Sequence, residues 1–493
     1  MLLLDEIREA WHGEPRDHRL ALVVIGVLAV TLRLLHLNQP MRYDEAVTYL
    51  YFVKRPLTEA LSSYTYPNNH LFHTLLAKVS IAVLGNSPWV LRLPAFLAGV
   101  LVVPATYAVT RVIYGSRAAL LAGAIVASSG VLTLYATNAR GYSLVVLAFL
   151  LMMLSAIRLL RGAPASEWLV LAVIGAIGLW TIPVMLFPLG TVYFWIALSL
   201  LVDKRSAELN RMGAALGVTA ALTLLAYWPV ISRDGIGAIT RNRFVASTGW
   251  FEFFEQLPPT IREALASWAL GATALSILLA GCALVALRRH ATIATFRVGL
   301  PVAAFAWCAW LLVVNHRAPF ARVWLWLYPL AAALAGAGAL LVMDRWPPTK
   351  VIADRRAPVI AMGLALASAV SVMITRAVFV SRDTGTYRDA ADAAAVLARV
   401  LQPGDRVLVA VPSNAPLGYY LDKAGVPQPY FAGDEQRARR VVVVVDRNER
   451  QTLDAVVGRS PVSDSTQFGP PSVIAKLPTS DLLLYHRRDA AAK

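Results

Sequence analysis

From Leu20 to Thr375 the chain is a succession of long apolar runs separated by short polar stretches, a pattern with the length of membrane crossings. A helix needs about 20 apolar residues to cross the hydrocarbon core of a bilayer. Runs of that kind are Leu20–Leu37, Leu93–Thr110, Ala118–Ala139, Gly141–Ile157, Met212–Ser232, Ala264–Leu287, Val298–Asn315, Val323–Met343 and Ala357–Thr375. The charge-free run Trp168–Val202 is too long for one crossing, and Pro183 and Pro188 interrupt it. It therefore predicts two helices meeting near Ile182-Pro183, because proline lacks the amide that continues a helix. The pattern predicts a polytopic α-helical membrane protein of about 11 spans over residues 1–380.

The pattern changes at about Ser381. Tyr387–Leu401 reads as an alanine-rich helix, and Arg406–Val411, Val441–Asp446, Val473–Leu477 and Leu482–His486 read as strands between Pro/Gly-rich turns. Residues 381–493 thus predict a small soluble α/β domain. A second irregular segment, Asn38–Arg92, follows the first span. Within it Asp44–Val53 and Leu71–Leu84 have helical spacing but are too short to cross, and predict helices lying along the membrane surface.

Composition agrees with a membrane protein: 57% of the residues are hydrophobic and 15% are charged. A soluble chain carries nearer a quarter charged residues. The net charge of +16 would suit a nucleic-acid binder. Here it is explained by basic loops, since cytoplasmic loops of membrane proteins collect Lys and Arg. With the N-terminus inside, the inner loops hold Arg111 and Arg117, Arg158 and Arg161, Lys204 with Arg205 and Arg211, Arg288 with Arg289, and Arg345 to Arg356. No nucleic-acid partner is expected. The odd span count then puts the C-terminal domain outside, together with the loops Asn38–Arg92, Thr137–Arg140, Arg233–Glu263 and Asn315–Arg322. Cys282 and Cys308 both lie in apolar runs and form no metal motif. Met1 to Arg19 is polar, and the first apolar run lacks a small-residue cleavage site, so no secretory leader is expected.

Candidate chemistry collects in the outer segments. Arg42-Tyr43-Asp44-Glu45 places two adjacent carboxylates at a bilayer boundary, where charge is costly unless it has a task. The competing reading of Asp44 is a cap on a short surface helix. Tyr64-Thr-Tyr66-Pro-Asn68-Asn69-His70 is an aromatic, amide-rich turn suited to holding a sugar, or to satisfying itself as a loop. Asn138-Ala-Arg140-Gly-Tyr142 and His316-Arg317-Ala-Pro-Phe-Ala-Arg322 add guanidinium groups. Arg at an interface commonly snorkels to water, but its planar fork also suits phosphate oxygens. Carboxylates, amides and arginines at three outer sites predict a shared cavity.

These elements resemble the GT-C glycosyltransferases, in the bacterial branch that includes protein O-mannosyltransferases and the aminoarabinose transferase acting on lipid A. The resemblance is carried by Asp44-Glu45 after the first span, by Pro67-Asn-Asn-His70-Leu-Phe-His-Thr-Leu-Leu, and by Leu84-Gly-Asn-Ser-Pro-Trp89-Val-Leu-Arg92-Leu-Pro94. It continues in Ala136-Thr-Asn-Ala-Arg140-Gly-Tyr142-Ser-Leu144, in Arg322 ahead of Tyr328-Pro329, and in Tyr387-Arg388-Asp-Ala-Ala with Gly404-Asp405. The order of these motifs is more specific than any one of them. The chain departs from the family at Asn69-His70, where many relatives have Pro-Pro-Leu-Tyr.

The resemblance implies a polyprenyl-phosphate sugar as donor and a glycan, lipid or protein of the cell envelope as acceptor. It also implies inversion at the anomeric carbon and location in a bacterial cytoplasmic membrane. Asp44 is then the catalytic base, because an acceptor hydroxyl is a poor nucleophile. Glu45 orients it, holds a metal or pairs with an Arg. A divalent ion is a further candidate, with Asp44, Glu45 and His70 as potential ligands. Arg140, Arg322 and Arg317 face the phosphate, and Arg42, Tyr43, Tyr66, Asn68, Asn69, His70, Tyr142 and His316 complete the expected binding set. A polysaccharide polymerase or ligase and a transporter for a lipid or small molecule are the alternatives. Transporters place ionisable groups at the midplane and carry repeats, and neither pattern is evident in the sequence.

Overall fold

The computed structural model describes residues 11–241, 246–345, 350–426, 428–431, 438–458 and 460–488. Part of the basic segment Arg345 to Arg356 and the last five residues of the C-terminal domain lie outside them. The chain forms two compact units, each assembled from separate stretches. One comprises Met1–Leu37, Leu61–Ala77 and Arg92–Val380, the other Asn38–Ala60, Lys78–Leu91 and Ser381–Lys493.

The first unit is helical. Among the described residues, 8 helices are long and apolar enough to cross a membrane, and a bent pair makes a ninth. The expected spans at Trp168–Ile182 and Val298–Asn315 correspond to the shorter apolar helices Ser166–Thr181 and Leu300–Asn315. All eleven expected spans therefore have a helical counterpart. Thr181 ends one helix, and Pro183 opens the short turn into Leu186–Val202, as the prolines imply. One span was misplaced: the expected Ala264–Leu287 splits between the helices Trp250–Trp268 and Thr273–Ile293. The break falls at Gly271, whose φ of +80° suits glycine.

The expected single span Ala118–Ala139 is also broken. Helices Ser116–Ala127 and Gly130–Ala136 meet at 60°. A break inside a bilayer frees backbone carbonyls that lipid cannot satisfy. Arg33, fully buried in the Arg16–Leu37 helix, satisfies them: its guanidinium donates to the carbonyls of Ala127 (2.9 Å), Val126 (3.3 Å) and Ala29 (3.0 Å). The Ser129 hydroxyl accepts from the Leu132 amide and caps the second helix. A cation that would be costly in the apolar core thus closes the open end of a helix, where the dipole is negative.

The second unit contains a four-stranded sheet in the order β1-β2-β4-β3, with β1 Arg406–Val409, β2 Arg440–Asp446, β3 Ser472–Lys476 and β4 Ser480–His486. β1 and β2 are parallel, with Val407 opposite Val442, and the other pairs are antiparallel. The run Val441–Val445 is buried, as continuous β-branched sequence implies for a strand covered on both faces. Helix Ala390–Val400 covers one face through Ala390, Ala393, Ala394 and Leu397, which fall at helical spacing.

At the end of β2, Asp446 is fully buried and accepts from the Ser413 hydroxyl and the Asn448 amide, each at 2.9 Å. Burial pushes its carboxyl up to about 6. A raised folded-state value means stability that is complete below about pH 4 and lost as pH rises through 6. Asp446→Asn is therefore expected to be the more stable protein by about 2 kcal/mol at pH 8, with no difference at pH 3.5. Hydrogen exchange of the β2 amides in the solubilised protein at the two pH values measures this.

Candidate active site

Two groups of polar side chains stand out, one in each unit. In the helical unit the turn after Ala136 is tight, with the Arg140 amide donating to the Asn138 carbonyl at 2.7 Å. The turn aims Arg140 and the Gly141 amide at His70. Gly141 N–H donates to Nδ1 of His70 at 2.8 Å, and an Arg140 terminal nitrogen lies 3.0 Å from Nε2. A side chain at position 141 would collide, since a Cβ there would stand 2.5 Å from Thr181 Cγ2 and 3.2 Å from His70 Nδ1.

His70 is 1% exposed. Burial first, then the neighbouring Arg140, His73 and Arg322, holds its imidazole well below the usual histidine range, so the ring is neutral. A neutral imidazole has one N–H and one acceptor nitrogen. Both of its partners here are donors. Whichever nitrogen keeps the proton therefore points it at another N–H group. An oxygen bridging His70 and Arg140 would resolve that conflict.

Tyr142 stands edge-on to His70, ring centroids 5.2 Å apart, and its hydroxyl accepts from Nε of Arg322 at 3.0 Å. The Arg322 guanidinium also lies over the Phe320 ring at 4.6 Å. His73, one turn along the Leu71–Leu84 helix, is fully buried and held down to about 3 by burial and Arg140. Neither of its ring nitrogens has a hydrogen-bond partner among the described residues. Two guanidinium groups and two neutral imidazoles therefore gather around Tyr142 and His70. The arrangement suits an anion, and phosphate oxygens match the Arg fork.

Other expected residues sit differently. The Asn69 amide donates to the Ser63 carbonyl (2.7 Å) and accepts from the Thr74 hydroxyl (2.8 Å), which shapes its own loop. Tyr66 is exposed and Asn68 half-buried. Tyr64, adjacent in sequence to the expected set, is buried against Tyr227, with its amide on Asp234 Oδ2 at 2.6 Å. His316 takes a left-handed conformation with φ +44°, and its ring lies tilted against Trp250 with centroids 3.8 Å apart, while Arg317 is half-buried beside it. Sequence reasoning missed His73. Its signal was the second His of His70-Leu-Phe-His73, close to one helical turn away.

In the second unit Asp44 and Glu45 open the helix Tyr43–Thr48, which continues as a π-helical turn over Tyr49–Val53. The expected uniform helix Asp44–Val53 thus changes type midway, and such π turns recur at functional sites. Glu45 is fully buried, and its Oε1 accepts from the Arg42 amide at 2.8 Å. Glu45 is thus half of a capping box. Asp44 is 9% exposed. The Arg42 guanidinium donates to the carbonyls of Ser381 (2.8 Å) and Asp383 (2.9 Å). Among the described residues, no group of three or more His, Cys, Asp or Glu is placed to hold a metal ion.

Residues 68–231 match a family described as dolichyl-phosphate-mannose-protein mannosyltransferase. No curated protein matches the whole sequence at a significant level. Among solved structures, ArnT from Cupriavidus metallidurans is similar in its apo state, with a TM-score of 0.60 and 14% identity over 94% of this chain and 97% of that one. The same protein bound to undecaprenyl phosphate gives a TM-score of 0.59 at 15% identity, with 94% and 97% covered. The oligosaccharyltransferase of Archaeoglobus fulgidus, in complex with zinc and sulfate, gives 0.50 at 13% identity, covering 92% of this chain and 71% of its own. A third of the chain thus matches a mannosyltransferase family, and nearly all of it shares the fold of ArnT.

Proposed function

We propose that the protein transfers a sugar from a polyprenyl-phosphate donor to an acceptor hydroxyl or phosphate of a cell-envelope glycan, lipid or protein, with inversion at the anomeric carbon. The observation that carries this reading is the donor-rich group of His70, Arg140, Tyr142 and Arg322, in which the proton of a neutral imidazole faces another donor. A phosphate oxygen supplies the missing acceptor. That the similar ArnT structure holds undecaprenyl phosphate supports the same class of donor here.

The chemistry follows from the charges. A polyprenyl phosphate is a weak base and leaves without a strong general acid, provided that its growing negative charge is met by fixed positive groups. Arg140 and Arg322 have that role, and the N–H of His70 adds a neutral donor. Asp44 removes the proton of the acceptor hydroxyl as the oxygen attacks the anomeric carbon from the face opposite the phosphate. The C1–O bond to the phosphate breaks and one inverted glycosidic bond forms. Glu45 holds the helix end on which Asp44 sits.

The test is transfer by the purified protein. A labelled polyprenyl-phosphate sugar should lose its label to an envelope fraction, releasing free polyprenyl phosphate in equal amount. Binding without release, for a panel of such donors and acceptors, would overturn the reading.

The reaction is placed on the extracytoplasmic face of a bacterial inner membrane, with the N-terminus cytoplasmic and the C-terminal domain outside. Basic loops on the other face support this. A cysteine at exposed Ala398 should react with an impermeant thiol reagent in intact cells. Labelling only after lysis would reverse the orientation. Ser413, fully buried against Asp446, is unsuited to this test.

A further inference from the structure

We propose that the C-terminal α/β domain is the seat of the Asp44–Glu45 helix, and that Arg42 and Gly385 are the positioning residues that fix it there. In open α/β sheets, ligands enter the crevice beyond the carboxyl ends of parallel strands. Here the parallel strands are β1 and β2, and the segments beyond them are Val411-Pro412-Ser413 and Asp446-Arg447-Asn448-Glu449.

These segments carry hydrogen-bonding groups, and the chain itself takes them up. Asn448 donates through its side chain to the Thr386 hydroxyl (3.1 Å), which donates to Glu449 Oε1 (2.5 Å). Arg382 donates to the Asn448 carbonyl at 2.6 Å. The linker 381–386 is thereby fastened across the strand ends. It then presents its carbonyls to the helix. Gly385 O accepts from the Tyr43 amide and Thr384 O from the Asp44 amide, each at 3.2 Å. Arg42 pairs with Thr386 in an isolated antiparallel bridge, and its guanidinium reaches Ser381 and Asp383.

The far side of the helix is held as well. The Tyr49 hydroxyl donates to Asp422 Oδ2 at 2.9 Å, Lys54 pairs with the same carboxylate, and the Tyr49 and Tyr419 rings meet edge-on at 4.9 Å. The Met41 amide donates to the Tyr420 hydroxyl at 3.2 Å.

Six helical residues do not make a stable helix in isolation. The first amides of any helix lack partners within it, and here two of them find partners 340 residues away in sequence. The orientation of Asp44 is therefore set by the linker rather than by the helix. Gly385 is the tightest point. Its φ is +71°, and a Cβ there would stand 2.7 Å from both Pro412 Cβ and Tyr43 Cβ. Any larger residue pushes the helix off its seat. The domain thus uses the ends of its parallel strands to hold a segment of its own chain.

This inference rests on Asp44 being the base, and two measurements separate the claims. Hydrogen exchange reads the seat alone. In Gly385→Ala and Arg42→Ala, exchange of the Tyr43–Thr48 amides should accelerate by about tenfold or more relative to wild type, whatever Asp44 does. Unchanged exchange in both variants overturns the seat. Kinetics read the link to catalysis. Both variants should lower kcat by about 10- to 100-fold with donor affinity kept within about twofold. Arg42→Lys, which still reaches one carbonyl, should recover part of the loss. In an Asp44→Asn background the same changes should cost nothing further. Loss that multiplies with Asp44→Asn overturns positioning through Asp44. A fully active Asp44→Asn protein removes the base itself and leaves the exchange result standing.

Discussion

Asp44→Asn is expected to lower the transfer rate by about 10²- to 10⁴-fold, the range of a general base. The substitution keeps the size and most of the polarity of the side chain, and it leaves the amide that donates to Thr384 in place. Glu45, which carries the cap, is untouched. The protein should therefore fold, insert and bind donor normally. Single-turnover transfer from a labelled polyprenyl-phosphate sugar, with donor binding measured beside it, separates lost chemistry from lost binding. Transfer by the variant at the wild-type rate would take Asp44 out of the mechanism. Glu45→Gln should act through the helix instead, since an amide oxygen still accepts from Arg42 but more weakly than a carboxylate. A smaller loss is expected there.

Arg140→Ala should be nearly as harmful, at about 10²- to 10³-fold in kcat, the cost of removing one fixed charge from a developing anion. Arg140→Lys retains charge but loses the fork, and its rate should fall between alanine and wild type. Arg322→Lys should behave alike through its contact with Tyr142. Weak effects of both lysine variants would mark the arginines as snorkelling side chains. A donor-bound structure with both guanidinium groups more than about 8 Å from the phosphate, far beyond hydrogen-bonding reach, would rule out their assigned role directly.

The parts of this molecule that were legible in the sequence are those with a local signal. Apolar runs of crossing length, basic loops and the proline at Pro183 announce the spans, because each is a matter of a few neighbouring residues and the solvent they meet. Valine-rich β2 and the alanine-rich helix of the C-terminal domain announced themselves in the same way. The Asp44-Glu45 pair was conspicuous because charge is unexpected next to an apolar run. What stayed hidden depends on partners distant along the chain. Arg33 in an apolar run gives no hint that it closes a helix end 94 residues later. His70 looks like a loop residue until Arg140 and Gly141, some 70 residues on, set two donors against its ring. Arg42 reads from the sequence as a substrate ligand, and Glu45 as a residue that orients Asp44, holds a metal or pairs with an Arg, because side chains beside a candidate base suggest chemistry. The structure uses both to hold the helix. Most of the helix Trp250–Trp268 falls in the expected loop Arg233–Glu263, and Pro258 and Pro259 lie within it.

The seat of the Asp44 helix has a consequence for biosynthesis. Arg42 and its carbonyl partner at Ser381 are separated by 339 residues. At about 5–20 residues per second, the helix leaves the ribosome roughly half a minute before the linker that holds it exists. Throughout that interval the segment has no template for its first turn. A chain that stops short of the linker 381–386 has its spans but no seat for the Asp44 helix.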